Sequence, residues 1–200
     1  MTRSLSRCLL ILFMLWGAPP AALEAQWSLG ALAVYSDFKG GARDPSGLTL
    51  EPSSRFEFGI GAARDIGRWQ LQFELGWAPG HLSSRDSTGE TLQLDVLAEG
   101  LPRYRATALF GRQLTALGAG RLSLMAGPTL DLWQGDGDTR PRVGGQVRLV
   151  LEAPLGRLLL QNYLGYSLSG SPFNASEFTS DIARPALQAI SLGVEIRMRL

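Results

Sequence analysis

The chain has almost none of the residues on which many enzyme sites are built. Of its 200 residues, one is a cysteine (Cys8), one a histidine (His81) and one a lysine (Lys39). Cys8 lies inside an apolar leader, so the rest of the chain carries no thiol. That excludes a disulfide framework, thiol catalysis and thiolate metal sites. A lone histidine excludes a multi-histidine metal centre. The formal net charge is +1 and no charge-rich tail is present, which excludes a nucleic-acid footprint. Beyond residue 25 no apolar run is long enough for a transmembrane helix.

The leader itself is well marked. Arg3 and Arg7 precede the apolar "CLLILFMLWG", and the small residues of "APPAALEA" follow, which predicts a secretory signal peptide over residues 1–25 and a mature domain over 26–200. In that domain polar and apolar residues alternate with period two over eight segments: 26–36, 55–64, 69–78, 102–112, 120–133, 143–153, 157–169 and 191–200. The third sets Trp69, Leu71, Phe73, Leu75 and Trp77 against Gln70, Gln72, Glu74 and Gly76. The last sets Leu192, Val194, Ile196, Met198 and Leu200 against Ser191, Gly193, Glu195, Arg197 and Arg199.

The connections alternate in length. "DIG", "LTALGAG" and "PLG" read as short hairpins, whereas 37–53, 79–101, 134–142 and 169–187 read as long polar loops. A soluble sandwich has no reason to sort its loops by side; an up-and-down barrel in a membrane has this asymmetry. Only helices and closed barrels satisfy the backbone in lipid. The polar strand face holds Arg55, Arg103, Arg105, Arg121, Arg148, Arg197 and Arg199 with Glu57, Glu74, Asp131, Glu152 and Glu195, and no lysine. Such a face suits a crowded interior where guanidinium groups pair with carboxylates. Trp27, Tyr35, Trp69, Trp77 and Tyr104 near strand ends suit interfacial girdles. An eight-stranded interior is just wide enough for side chains to fill, so no aqueous pore is expected.

These features together resemble the small eight-stranded outer-membrane β-barrel family, the OmpA- and OmpX-type barrels, over residues 26–200. The fold expected is therefore all-β: an eight-stranded antiparallel up-and-down transmembrane β-barrel with short periplasmic turns and long extracellular loops. The resemblance implies a monomer in outer-membrane lipid and lipopolysaccharide. It also implies that the barrel-assembly machinery reads the terminal strand, which pairs with the first strand to close the barrel. Family members usually end in an aromatic residue; this chain ends in Leu200. No catalytic residue, cofactor or metal is expected, and any activity is expected in interactions of the loops.

Three local patterns compete with that reading. His81 and Ser83, spaced His-x-Ser, resemble the dyad of lipid A deacylase barrels, with Glu90 or Asp95 as the orienting acid; Ser84 stands where that family carries Asn. Asp136 and Asp138 in "GDGDT" are spaced like calcium ligands but read as a polar turn. Asn174 in "NAS" matches a glycosylation triplet. A soluble lipocalin-like carrier is a further alternative, and needs an apolar lumen. The segment "TLQLDVLAEGLP" keeps the parity of the fourth strand and is expected to prolong it as a protruding edge.

Overall fold

The computed structural model describes residues 27–85, 91–94 (backbone only), 101–135, 137–174 and 182–200. The leader expected over 1–25 lies outside them. The strands are β1 (Trp27–Lys39), β2 (Ala42–Arg43), β3 (Thr49–Pro52), β4 (Arg55–Ile66), β5 (Trp69–Ala78), β6 (Leu82–Arg85), β7 (Thr91–Leu94), β8 (Arg103–Leu117), β9 (Gly120–Gly135), β10 (Asp138–Leu155), β11 (Leu158–Ser169) and β12 (Leu187–Arg199). Eight of them, β1, β4, β5, β8, β9, β10, β11 and β12, form a closed barrel in which each pairs with its neighbours in sequence. Closure is made by β1 and β12, antiparallel from Ser28 opposite Arg199 to Lys39 opposite Gln188. The four short strands form a second sheet in the order β2-β3-β6-β7.

Period-two alternation decides which side chains enter the barrel. On β12, Leu187, Ala189, Ser191, Gly193, Glu195 and Arg197 are buried, while Ile190, Leu192, Val194, Ile196 and Met198 are exposed. The outward face is apolar all the way round, with Ile60, Leu75 and Val143 more than 60% exposed, at 65%, 61% and 75%. Trp27 and Trp69 lie outward at the short-turn end; Tyr35, Phe56, Trp77 and Tyr104 lie outward towards the other. The three short hairpins each place a glycine in the left-handed region: Gly67 at φ 63°, Gly118 at 61° and Gly156 at 66°. A two-residue turn needs positive φ there to match the strand twist.

Two expectations about connections are corrected. The segment 134–142 is not a long loop: β9 runs to Gly135, β10 starts at Asp138, and these two residues pair. Thr139 to Arg142 continue the ladder against Gln134 to Asp131, and Gly137 has φ 80°. Polar residues in a strand that rises past the apolar band look like loop in a hydropathy pattern, whereas "DG" is itself a hairpin signal. Nor do residues 91–94 prolong the fourth barrel strand, and 95–100 lie outside the described residues. Thr91–Leu94 is β7, the edge of the second sheet, paired with β6, and β8 begins only at Arg103. Parity cannot say which neighbour a strand pairs with.

The interior is crowded enough to select glycine. Gly193 stands directly opposite Tyr163, and a Cβ built on it would lie 2.1 Å from Tyr163 Cζ. The tyrosine ring thus covers the glycine backbone. Tyr163 cannot swing away freely, because the Arg148 guanidinium lies 4.1 Å over its ring. Gly193→Ala should destabilise the barrel by about 1–3 kcal/mol through overpacking, read as a lowered urea midpoint. Adding Tyr163→Leu to that variant should restore part of the loss.

Candidate functional site

The lumen is filled in layers, and the topmost is apolar. Phe38 from β1, Trp133 from β9, Leu187 and Ala189 from β12, and Ala42, Leu82, Leu101 and Phe173 from the loop segments form one buried cluster, with Leu50 and Ile182 packed on it. Beneath it, the Arg55 and Arg103 guanidinium groups lie between 5.1 and 5.4 Å from the centres of the Phe38 and Trp133 rings. These are cation–π distances. Arg55 also donates from Nη1 to the carbonyls of Pro79 at 2.8 Å and Leu101 at 3.1 Å, so a lumenal side chain holds both ends of the β5–β8 connection.

Ion pairs follow. Arg103 Nη2 donates to Glu57 Oε2 at 2.5 Å, and Arg105 grips Asp131 through two bonds of 2.6 and 2.9 Å. Arg148 on β10 reaches across to Glu74 on β5 with bonds of 2.6 and 2.7 Å. Gln72 donates to Glu74 and, at 3.0 Å, to Glu195, which also accepts from Arg197 at 2.7 Å. Near the short turns Arg121 bridges Asp65 at 2.9 Å and Glu152 at 2.8 Å. Paired, bidentate geometry is what allows such charges to be buried. The described residues do not satisfy the network completely: among them Nε and Nη1 of both Arg103 and Arg197, Glu195 Oε1 and the Tyr163 hydroxyl find no hydrogen-bond partner.

Above the apolar layer the loop segments are laced together. "DPSG" at 44–47 is a turn closed on Asp44, whose Oδ1 accepts from the Leu48 amide at 2.9 Å and the Ser46 hydroxyl at 2.7 Å. The Ser46 hydroxyl and the turn amides hold the Asp44 carboxyl below the usual range. β3 pairs with β6, joining the first loop to the second, and Arg43 exchanges backbone bonds of 2.7 and 2.9 Å with Ala183, joining the first to the last. Glu51, facing Arg85 at 2.9 Å, is pushed up by burial, which the arginine partly opposes.

Solved structures share this architecture. Neisserial surface protein A (NspA) is similar at 12% identity with a TM-score of 0.57, over 87% of this chain and 97% of that one. A major outer membrane protein from Thermus thermophilus is similar at 14% identity with a TM-score of 0.53, over 88% and 100%. The fold is that of an eight-stranded outer-membrane β-barrel. The chain matches no protein-family model and no curated protein.

The outer-membrane-type barrel places the residues of the local patterns as follows. His81 is exposed just before β6, while Ser83 is buried and its hydroxyl donates to the Glu51 carbonyl at 3.4 Å. No hydrogen bond joins the two among the described residues, and Glu90 and Asp95 lie outside them. Asp136 lies outside them too; Asp138 is exposed at the start of β10. Among the described residues no group of three or more His, Cys, Asp and Glu is placed to hold a metal. The Asn174 side chain accepts from Arg142 Nη2 at 2.7 Å. The lumen of a lipid carrier would be apolar; here it holds buried arginines and carboxylates. The stacking of Arg55 and Arg103 on Phe38 and Trp133 had no sequence signal, because it joins residues of four different strands that lie far apart along the chain.

Glu74→Leu should cost about 3–5 kcal/mol by leaving Arg148 buried without its carboxylate. Glu74→Leu combined with Arg148→Met should be less harmful than the single change. Leu75→Arg, on the outward face in mid-strand, should cost about 2–4 kcal/mol in a bilayer. Refolding titrations into lipid vesicles measure both.

Proposed function

We propose that this chain is a non-enzymatic surface barrel of the outer membrane, whose interactions are made by the joined loop segments at one end. The observation that carries the reading is the occupied lumen: among the described residues an apolar layer and successive ion pairs are buried inside the barrel, which argues against a conducting path or a lipid there. What remains chemically available is the outer surface and the loop sheet, where Lys39, Arg43, Leu48 and Arg184 are exposed on a scaffold tied to the barrel. A rigid scaffold presenting loops is how small barrels bind partners. On this reading residues 1–25 are an export leader, β12 is the strand read by the barrel-assembly machinery, and the mature chain is a monomer surrounded by phospholipid and lipopolysaccharide with its short turns in the periplasm.

The experiment is fractionation of cells producing the full chain, followed by gel migration with and without boiling. Heat-modifiable migration from the outer-membrane fraction is the expected result. Recovery from the periplasm with identical migration overturns the reading. Planar bilayers containing the barrel should show no steady conductance. Lipid A from the same membranes should keep its acyl chains; acyl loss that is reversed by Ser83→Ala would make the protein a hydrolase instead.

A further inference from the structure

The short-turn end carries charge of one sign outside the barrel. Arg64, Arg68, Arg112, Arg157 and Arg199 are exposed there. Asp65 and Glu152, the acidic side chains at that end, are both taken by Arg121 from the lumen. Among the described residues no other acidic side chain lies at this end. Two of its members are held at a defined depth: the Arg64 guanidinium lies 5.5 Å from the ring centre of Trp27, and that of Arg112 lies 5.5 Å from that of Trp69. Stacking occupies the guanidinium face and leaves its N–H edges free for an anion.

Directly above Arg64 the outward surface is hollowed, and Phe110 separates the hollow from Arg112. Small side chains at Ala62, Ala106 and Ala108, between the projecting Ile60, Phe73 and Leu130, form an apolar groove of about 810 Å³. Arg64 is the next outward position after Ala62 on β4, and Arg112 follows Ala108 and Phe110 on β8. From Ala106 to Arg112 is about 20 Å of strand, which at a tilt near 45° is a drop of about 14 Å, one leaflet of hydrocarbon.

We infer that this groove and the arginine collar beneath it form a site for one anionic glycerophospholipid of the leaflet on the short-turn side, with an acyl chain in the groove and the phosphate on the N–H edges of Arg64, the field of Arg112 adding to the attraction. The site rests on the surface-barrel reading, since it needs a bilayer around the strands. Arginine suits the phosphate because its planar fork donates two bonds at once, and tryptophan belongs at the same interfacial depth.

Wild-type barrel, Arg64→Gln/Arg112→Gln and Ala108→Phe are refolded in detergent, checked for heat-modifiable migration, and titrated with phosphatidylglycerol or phosphatidylethanolamine. Native mass spectrometry reads the lipid retained. The wild type should hold phosphatidylglycerol about tenfold more tightly than phosphatidylethanolamine. The double arginine variant should lose that preference while still migrating as a folded barrel, and Ala108→Phe should weaken both lipids. Equal retention of the two lipids, unchanged phosphatidylglycerol binding in the arginine variant, or stronger binding of lipid A at the same arginines overturns the site while leaving the barrel reading standing. Absence of heat-modifiable migration in the wild type overturns both.

Discussion

Backbone hydrogen bonding without water is the constraint on which this architecture depends. In hydrocarbon each unpaired amide or carbonyl is costly, so a sheet can cross only if its first and last strands meet. Here β1 and β12 meet over almost their whole length. Eight strands close on a narrow lumen, so that every second residue of every strand competes for a small volume. Glycine opposite Tyr163, alanine high on the walls and long guanidinium side chains that reach across are three solutions to that one restriction. The charges are tolerated because they are paired: Arg105–Asp131 between adjacent strands, Arg148–Glu74 across the lumen.

The two ends of the barrel solve different problems. At one end the strands turn within two residues on positive-φ glycines, and the rim presents arginines beside tryptophans. At the other, three of the four connections are longer excursions, and these pack on an apolar layer set on top of the ion pairs, while β9 and β10 meet in a tight hairpin. Arg55 and Arg103 belong to both regions. Their edges meet carboxylate or carbonyl oxygen and their faces meet Phe38 and Trp133, so the loop end and the lumen share one packed unit.

Facing was legible because strand parity is local. The outward set on β5 and β12 and the inward arginines follow from alternation alone, and so do the short hairpins at Gly67, Gly118 and Gly156. What was not legible is pairing above the apolar band. Residues 134–142 are polar and 91–94 alternate in phase with the fourth barrel strand, yet the first belong to the β9–β10 hairpin and the second to a separate sheet. The His81–Ser83 spacing shows the same limit: two residues apart on a strand is compatible with a dyad, but the partner of Ser83 is a carbonyl brought in by β3.

The order of residues by itself therefore determined the number of barrel strands, their direction, the apolar exterior and the charged interior, because each depends on a repeat of two along one segment. Only the tertiary structure decided which arginine meets which carboxylate, that Phe38 and Trp133 come together under the loops, and that Arg64 stands below an outward groove. Those contacts join segments far apart along the chain, some on adjacent strands, as Arg105 with Asp131, and some across the lumen, as Arg148 with Glu74, and their register is set by closure and stagger of the whole sheet, which no single segment encodes.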